Sequence, residues 1–306
     1  MINKTLIAVI GPTAIGKTRL AIQLAQHFNT EILSADSRQF YKEMSIGTAV
    51  PSYEELQMAE HHFIQHKSIF DSYSVGDFEK EAILKLDEVF KENDIAILVG
   101  GSGLYVDAVV NGLDSFPEVP AKVRQELIKL EKEKGLPYLQ EELKNKDPYY
   151  FDRVDIENPH RIIRALEVCI TSGKPYSSFL NQEKKKRNFK TIYVGITAER
   201  ELIYDRINKR VDLMMENDLL NETKDLFEHK ELNALKTVGY KELFGFFNGN
   251  YNLEFAIEEI KKNTRRFAKR QLTWYRKNKT IFWIEFNEEF SRVISKIDKL
   301  ISFKDE

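Results

Sequence analysis

A glycine-rich segment near the start of the chain constrains its fold more than any other feature. Residues 11–18 read Gly-Pro-Thr-Ala-Ile-Gly-Lys-Thr and match G-x-x-x-x-G-K-[ST], the phosphate-binding P-loop. The apolar, β-branched run at residues 5–10 predicts a buried strand before the loop, and apolar residues at three- and four-residue steps from Leu20 to Phe28 predict a helix after it. A glycine turn could match by chance. However, strand, loop and helix stand in the order that phosphate binding requires, because backbone N–H groups at a helix N-terminus attract anions.

The residue types of this loop predict how it binds a diphosphate or a nucleotide. Lys17 adds a positive charge, and the hydroxyl of Thr18 is placed to ligate Mg²⁺, the cofactor that the sequence predicts. Both residues are candidates for a catalytic role. The candidate diphosphate- or nucleotide-binding residues of the loop are Gly11, Pro12, Thr13, Ala14, Ile15, Gly16, Lys17 and Thr18.

Composition excludes several classes of protein. The 306 residues are 42% hydrophobic and 31% charged, which is typical of a soluble chain with a sizeable core. The formal net charge of -2 excludes a globally basic nucleic-acid binder but not a local basic surface. The single cysteine, Cys169, excludes an internal disulfide and a cysteine-based zinc site. No apolar run approaches membrane-spanning length and the first predicted strand begins at once, so we expect no signal peptide and a cytoplasmic location.

The second predicted strand ends in an acid. Residues 31–36 read Glu-Ile-Leu-Ser-Ala-Asp, and residues 36–41, Asp-Ser-Arg-Gln-Phe-Tyr, then leave the sheet. In open α/β sheets, ligands bind beyond the carboxyl ends of the strands, where the P-loop also lies. Asp36 is therefore expected to face the phosphate site as a general base or as a partner of Mg²⁺. An N-cap or turn role is the alternative.

The third predicted strand, residues 94–100, lacks the acid with which a P-loop ATPase would usually end such a strand to coordinate Mg²⁺. It continues instead into Gly100-Gly101-Ser102-Gly103. The glycines let the backbone approach another group closely, and Ser102 offers a hydroxyl. A plain tight turn fits the same spacing.

The character of the chain changes at the breaker cluster Phe116-Pro-Glu-Val-Pro120. The residues that follow are highly charged, helical in pattern and poor in strand signals, until a strand pattern returns at residues 191–196. The sequence therefore predicts an α/β fold with a P-loop NTPase-like core, in which helices flank a parallel β-sheet. The core is predicted to comprise residues 1–115 and 190–306, and a helical insertion domain residues 116–189.

Two predicted helices space arginines along one face. In His160-Arg-Ile-Ile-Arg164 the two arginines are three residues apart, which fits either phosphate contact or a solvated face. Arg206 and Arg210 are four apart and occur where small P-loop phosphotransfer folds carry lid arginines. We expect this second pair to bind the diphosphate.

The strongest local charge lies at residues 261–279, which hold nine lysines and arginines and no acid. The predicted inner face of this helix consists of Phe267, Ala268, Gln271, Leu272 and Tyr275, and Trp274 interleaves an aromatic residue. Such a run is often only a solvated face. Nine unbalanced cations in a net acidic chain favour contact with a polyanion.

Four further segments, together with the P-loop and residues 36–41, form a combination of motifs whose order along the chain is highly specific. They are Gly100-Gly-Ser-Gly-Leu-Tyr105, Arg161-Ile-Ile-Arg-Ala-Leu-Glu167, Val238-Gly-Tyr240 and Lys269-Arg-Gln-Leu-Thr-Trp274. Together these motifs, which span nearly the whole chain, resemble the bacterial tRNA dimethylallyltransferase family, also called tRNA isopentenyltransferase. Two departures are visible. Ser102 replaces the usual threonine and keeps the hydroxyl, and Asp218 stands where many relatives have glycine, which aspartate tolerates because it can adopt a left-handed backbone.

The resemblance implies transfer of a dimethylallyl group from dimethylallyl diphosphate to N6 of adenosine 37 in tRNA, with release of diphosphate. It also implies that the helical insertion grips the tRNA anticodon stem-loop. For this reaction Asp36 is the catalytic candidate that would remove a proton from the amine. We expect a monomer that does not contact a membrane. The candidate tRNA-binding residues are Asp36, Ser37, Arg38, Gln39, Ser102, Arg124, His160, Arg161, Ile162, Ile163, Arg164, Arg265, Lys269, Arg270 and Arg276.

Other functions share part of this pattern. A P-loop small-molecule or nucleoside kinase would use the same loop, Mg²⁺ and arginines, but needs neither the charged insertion nor the basic segment. A non-catalytic, RNA-binding GTPase-like module would carry Asn-Lys-x-Asp for guanine, whereas Asn208-Lys209 continues with Arg210-Val211. An adenylate isopentenyltransferase acting on free nucleotides would keep the chemistry without needing the insertion. Whether the loop also binds ATP stays open, because diphosphate and nucleotide phosphates present the same groups to it.

Overall fold

The computed structural model describes residues 4–182 and 186–302. The chain divides into two compact units, a core unit of Met1–Asn111 with Arg187–Glu306 and an insertion unit of Gly112–Lys186. The chain ends and residues 183–185, which the domain prediction also covered, lie outside the described residues. Among the described residues, no helix combines the length and the apolar character needed to cross a bilayer.

Within the described residues, six strands form one parallel sheet in the core unit. They are β1 Thr5–Ile10, β2 Ile32–Ser34, β3 His61–His62, β4 Ile95–Gly100, β5 Lys190–Thr197 and β6 Phe282–Glu285. Their order across the sheet is β3-β2-β4-β1-β5-β6, and every neighbouring pair is parallel. The predicted α/β fold with a parallel sheet is confirmed.

Helices connect these strands and build the insertion unit. Their bounds are α1 Lys17–Phe28, α2 Tyr53–Met58, α3 Val75–Glu92, α4 Gly103–Asn111, α5 Ala121–Lys134, α6 Leu136–Lys146, α7 Pro148–Phe151, α8 Pro159–Ser172, α9 Arg200–Glu216, α10 Leu219–Asp225, α11 Tyr240–Phe247, α12 Leu253–Tyr275 and α13 Phe290–Ser302. Helices α5 to α8 belong to the insertion unit. Parallel strands need such crossover connections because a tight turn cannot join them.

Alternation along β1 explains why helices cover both faces of the sheet. Successive side chains of a strand point to opposite faces. Leu6 lies in one apolar cluster with Phe78 of α3, whereas its neighbour Ile7 lies in another with Leu24 of α1. All four side chains are fully buried. The continuous apolar run of β1 is therefore buried on both faces of the sheet.

The strand order places the carboxyl ends of β1, β4 and β2 side by side. Ile10 at the end of β1 pairs with Gly100 of β4, and Val99 pairs with Ser34 at the end of β2. Three segments leave the sheet there: the P-loop after β1, the Asp36 segment after β2, and the glycine loop, residues 100–103, at the end of β4. The pairing therefore brings together three motifs that are far apart in sequence.

Asp218 separates two consecutive helices of the core unit. Helix α9 ends at Glu216 and α10 begins at Leu219. Asp218 lies between them with φ 75°, the left-handed conformation that aspartate tolerates. Strand β3 has only two residues, too few to show an alternating pattern in the sequence.

The insertion unit has an apolar core of its own. Leu127 of α5, Leu143 of α6 and Leu166 of α8 are buried in one cluster. The buried carboxylate of Asp147 accepts hydrogen bonds from the backbone N–H and the hydroxyl of Ser177 at 2.6 and 2.9 Å. These bonds satisfy a charge that would otherwise be costly inside the unit.

Glu222 of α10 fixes residues 45–47, which belong to the connection between β2 and β3. Its carboxylate accepts the backbone N–H groups of Ser45, Ile46 and Gly47 at 2.8–2.9 Å. It also accepts the hydroxyl of Tyr240 at 2.6 Å. A Cβ at residue 47 would lie 2.6 Å from the Tyr240 ring, so only glycine fits there. One carboxylate thus fastens three consecutive backbone amides to α10.

Replacing this carboxylate should destabilise the core unit. We expect Glu222→Gln to lower the free energy of unfolding by about 2–3 kcal/mol, because the amide replaces one acceptor oxygen by a donor and leaves backbone N–H groups unpaired. Denaturant unfolding followed by circular dichroism measures the change. Glu216→Gln, at the exposed end of α9, is the control and should change the value by less than about 0.5 kcal/mol. Equal losses in the two variants would show that the carboxylate does not hold the segment.

Candidate functional site

The P-loop joins β1 to α1 in a conformation that its glycines permit. Gly11 and Gly16 have φ values of 147° and 109°, a region that other residues rarely adopt. A Cβ on Gly11 would also lie 2.6 Å from the carbonyl oxygen of Ile196 in β5. Lys17 begins α1, and its Nζ donates to the carbonyl of Pro12 at 2.8 Å. The loop therefore curls around its own lysine.

A cavity of about 570 Å³ opens over this loop and is called the P-loop cavity below. Lys17 and Thr18 line it from the loop, and Arg206 and Arg210 line it from α9. Seven predicted diphosphate ligands, from segments about 190 residues apart in sequence, line this one cavity: Thr13, Ala14, Gly16, Lys17, Thr18, Arg206 and Arg210. Gly11, Pro12 and Ile15 are not among its lining residues, and the Ile15 side chain is buried in the core. Three cations facing one concave surface are suited to a multiply charged anion.

The two arginines of α9 also contact the P-loop directly. Arg206 Nε donates to the carbonyl of Ala14 at 2.8 Å. Arg210 Nη1 donates to Oγ1 of Thr13 at 3.2 Å. These contacts fix α9 against the loop, so the arginines are positioned before any ligand arrives.

The charges of the P-loop cavity act on one another. Burial lowers the pKa of the Lys17 ammonium to about 8, although the Asp36 carboxylate acts to raise it. Burial likewise lowers the pKa of the Arg210 guanidinium, again against the effect of Asp36. Asp36 is therefore close enough to both cations to stabilise their charged forms.

A second cavity of about 660 Å³, called the α12 cavity below, lies between the glycine loop and α12. Phe267 and Trp274 of α12 and Leu104 of α4 contribute apolar surface to it. The two cavities share four lining residues: Thr13, Asp36, Thr48 and Arg210. Groups bound in the two cavities would therefore meet at these four residues.

Asp36 occupies this junction two residues beyond the end of β2. Its Oδ1 accepts the backbone N–H of Arg38 at 3.1 Å, which forms a local turn. Asp36 therefore does have the turn role that was the alternative expected from the sequence. The same carboxylate lines both cavities, so forming the turn and facing a ligand are compatible.

The residues after Asp36 tie neighbouring segments to the junction. The hydroxyl oxygens of Ser37 and Ser102 lie 3.2 Å apart, which links this segment to the glycine loop. Arg38 donates to two backbone carbonyls that precede α11. Gln39 donates from Nε2 to the carbonyl of Ala49 at 2.8 Å. These four predicted RNA-binding side chains thus have partners inside the core unit.

Gln271 is a site residue that the sequence interpretation missed, since it was assigned only to the inner face of a helix. Its buried side chain accepts the N–H of Thr13 and donates to the carbonyl of Gly101, both at 2.9 Å. A Cβ on Gly101 would overlap the Gln271 amide. The glycine at this position therefore lets the loop approach α12. A lone glutamine among apolar inner-face residues was the available signal.

The P-loop cavity offers Mg²⁺ few protein ligands. Among the described residues, the group of three side chains able to hold a metal is Glu31, Glu60 and His62, and these lie outside the lining of the P-loop cavity. The hydroxyl of Thr18 and the carboxylates of Asp36 and Glu55 line that cavity. This donor set fits an Mg²⁺ ion that takes most of its ligands from phosphate oxygens and water, as Mg²⁺ commonly does.

Helix α12 carries most of the basic segment, but acids from other positions balance its first cations. Lys261 pairs with Asp212 of α9 at 2.8 Å, and Lys262 pairs with Glu259 at 2.7 Å. Arg265 donates to the side chain of Asn208 on α9 at 2.6 Å. The exposed cations of the segment are Arg266, Lys269, Arg270, Arg276, Lys277 and Lys279, and most of them lie in its later part. The surface suited to a polyanion is therefore the C-terminal part of the segment.

In the insertion unit, one buried acid holds two arginines. Glu167 of α8 accepts Arg124 at 3.1 Å through one carboxylate oxygen and Arg164 at 3.3 Å through the other. Both arginine side chains remain about half exposed, whereas Glu167 is almost fully buried. The pairing presents two fixed guanidinium groups to solvent.

The first two turns of α8 contain five predicted RNA-binding residues in different environments. His160 and Arg161 are exposed, and Arg164 is partly exposed. Ile162 and Ile163 are buried in the core of the insertion unit. The isoleucine side chains therefore serve packing, and the polar side chains are the ones available to a ligand.

Comparison with known proteins gives a consistent result. The sequence model of the family described as IPP transferase matches residues 39–278. A tRNA dimethylallyltransferase of Christiangramia forsetii is 61% identical over 297 residues, which cover 97% of this chain and 98% of the relative. A tRNA dimethylallyltransferase of Flavobacterium johnsoniae is 57% identical over 297 residues, which cover 95% of this chain and 96% of the relative.

Two solved structures that are similar to this chain are also of enzymes that modify tRNA in this way by name. The crystal structure of a full-length tRNA isopentenylpyrophosphate transferase from Bacillus halodurans superposes with a TM-score of 0.71 at 36% identity, covering 98% of this chain and 96% of the other. A eukaryotic dimethylallyltransferase acting on tRNA superposes with a TM-score of 0.82 at 26% identity, covering 98% of this chain and 80% of the other.

The charge of Lys17 should make anion binding depend on pH. Below a pKa of about 8 the lysine is an ammonium ion and attracts phosphate, so the affinity for pyrophosphate should fall as the pH rises through that value. Lys17→Met should weaken binding roughly 10- to 100-fold at pH 7 and remove this part of the pH dependence. Isothermal titration calorimetry from pH 6.5 to about 9.5 measures both effects.

The matched control is Lys80→Met, an exposed lysine of α3, which should bind as the wild type does. Titration of pyrophosphate itself is common to all three proteins and cancels in the comparison. Parallel pH curves for the wild type and the Lys17 variant would contradict the assignment of this lysine to the anion.

Proposed function

The chain belongs to the IPP transferase family and transfers a dimethylallyl group to tRNA, and from this premise we propose that the donor is dimethylallyl diphosphate and the acceptor is N6 of adenosine 37. Diphosphate is the second product. The proposal assigns the donor to the P-loop cavity and the acceptor base to the α12 cavity.

One geometric observation carries this assignment. The two cavities join at Asp36, Thr13 and Arg210, which line both. The P-loop cavity supplies the cations and backbone amides that a diphosphate requires. The α12 cavity supplies aromatic and polar walls that suit a nucleobase. The reacting nitrogen and carbon can thus approach each other from opposite sides of the junction.

The acceptor makes a general base necessary. The lone pair of an exocyclic adenine amine is delocalised into the ring, so the amine is a poor nucleophile. N6 forms a bond to the allylic carbon while the bond from that carbon to the diphosphate oxygen breaks, and the electron pair of that bond leaves with diphosphate. N6 loses one proton, which Asp36 accepts at the junction.

The leaving group makes positive charge and hydrogen-bond donors necessary. Negative charge grows on the diphosphate oxygen as the bond to carbon breaks, and Lys17 and Arg210 face the cavity in which that oxygen would lie. The hydrogen bond from Arg210 to Thr13 holds the guanidinium in place beforehand, so little reorganisation is needed. Mg²⁺, when bound with the hydroxyl of Thr18 as its protein ligand, neutralises further charge on the diphosphate.

Binding of the acceptor tRNA needs contacts that hold the RNA while the target base leaves the stack of the anticodon loop. The target lies in a single-stranded loop, whose bases can be splayed out, and unstacking one base costs on the order of a few kcal/mol. Cations in both units can offset this cost through phosphate contacts. Those proposed are Arg124, Arg161 and Arg164 in the insertion unit, and Lys269, Arg270 and Arg276 in or next to α12. His160, which is exposed on α8, is proposed to add a hydrogen-bonding side chain.

The base assignment predicts the behaviour of Asp36→Asn. This variant keeps the size of the side chain and the local turn but removes the proton acceptor, so the single-turnover rate of transfer to tRNA should fall by roughly 10²- to 10⁴-fold. Donor affinity and tRNA affinity should change far less. Rapid quench with radiolabelled donor measures the rate, and Asp87→Asn, an exposed residue of α3, is the control.

Two other roles of Asp36 give different results. An Mg²⁺ partner would show weaker donor binding and partial recovery at high Mg²⁺. A helix-cap or turn residue would lose about 1 kcal/mol of stability with a nearly normal rate. A single-turnover rate close to that of the wild type would therefore contradict the catalytic assignment.

A further inference from the structure

Trp274 places a large aromatic surface on the wall of the α12 cavity. The side chain is 42% exposed, and Phe267, which lies two helical turns earlier on α12, is 38% exposed. Phe267 was predicted to face inward, so the structure turns more aromatic surface toward this cavity than the sequence pattern indicates. With Leu104, which is 48% exposed, the two rings give this cavity an exposed apolar surface among polar residues, and such a surface is typical of an interaction site.

The indole ring is held in one orientation. Its Nε1 donates to Oδ2 of Asp107 on α4 at 2.9 Å. The same edge of the ring lies directly on Gly103, where a Cβ would overlap the indole. Fixing this edge leaves ring surface open to the cavity, and a ring that is already ordered loses little entropy when a ligand stacks on it.

The surroundings of the ring favour RNA over an apolar partner. Arg270, one turn before it, lines the same cavity, and Lys277 Nζ lies 5.9 Å from the ring centroid. Arg276 follows two residues later and is exposed. Aromatic side chains among cations are the typical means by which proteins bind single-stranded nucleic acid, since the cations contact phosphates and the rings stack with bases.

We propose that Trp274 stacks with an unpaired anticodon-loop base that flanks the target adenosine. The inference rests on the proposed acceptor site in the α12 cavity. When the target base leaves the loop, its neighbours lose a stacking partner, and a rigid indole beside the cavity replaces it. Trp274 thereby helps to position the loop, whereas Asp36 acts on the extruded base.

Intrinsic fluorescence tests the contact without altering Trp274. The chain has two tryptophans, so Trp283→Phe leaves Trp274 as the single emitter. Adding an unmodified anticodon stem-loop should quench this emission in a saturable way, because a stacked base quenches indole fluorescence. Fluorescence anisotropy of a dye-labelled stem-loop measures binding independently. Unchanged emission while anisotropy reports binding would overturn the proposal, whereas no binding at all would contradict the proposed function itself.

Affinity measurements separate stacking from charge and from packing. Trp274→Leu should weaken stem-loop binding roughly 5- to 100-fold, while Trp274→Phe, which keeps an aromatic face, should stay within about threefold. The salt dependence should be unchanged in both. Replacing Lys269 and Arg276 by Gln should instead lower the log–log salt slope by about 0.7 to 0.9 for each phosphate that the variant no longer neutralises.

The matched control is Phe255→Leu, an exposed aromatic residue at the start of α12, outside both cavities, which should bind as the wild type does. Equal losses for the Leu and Phe variants of Trp274 would indicate a structural role and overturn the proposal. Wild-type affinity of Trp274→Leu would overturn it as well.

Discussion

The parallel pairing of β2, β4 and β1 is the constraint on which the site depends. Neighbouring strands in a sheet lie about 4.8 Å apart, so this order places the segments that follow the three strands within a side chain's reach of one another. The P-loop, the Asp36 segment and the glycine loop meet for this reason. Their chemistry is complementary: the first binds an anion, the second carries a carboxylate, and the third provides backbone that other elements can approach.

Helix α12 is the element that joins these segments into one site. Gln271 bridges Thr13 and Gly101, and Trp274 lies against the glycine loop. Two of the loop glycines are therefore explained by the close approach of α12. Because α12 also carries exposed cations, the same helix supports the P-loop and presents part of the surface proposed to contact RNA.

Local patterns predicted most of the fold and part of the site. The P-loop, the strands β1, β2, β4 and β5, and the position of Asp36 follow from runs of neighbouring residues and from the rule that sites form at the carboxyl ends of parallel strands. Gln271 and Glu222 could not be predicted in this way, because their partners are 258 and 175–177 residues away in sequence. The ion pair between Lys261 and Asp212 of α9 could not be predicted for the same reason. The charges within one segment do not show which residues from other segments lie beside it.

We propose that one junction joins an allylic diphosphate to an adenine amine in tRNA. The most direct test incubates the protein with dimethylallyl diphosphate and unmodified tRNA, with AMP as a parallel acceptor, and analyses the nucleosides and nuclease fragments by mass spectrometry. We expect one adenosine of the tRNA, at position 37, to exchange a hydrogen on N6 for a dimethylallyl group, while AMP is not modified. Modified AMP with unmodified tRNA would contradict this proposal.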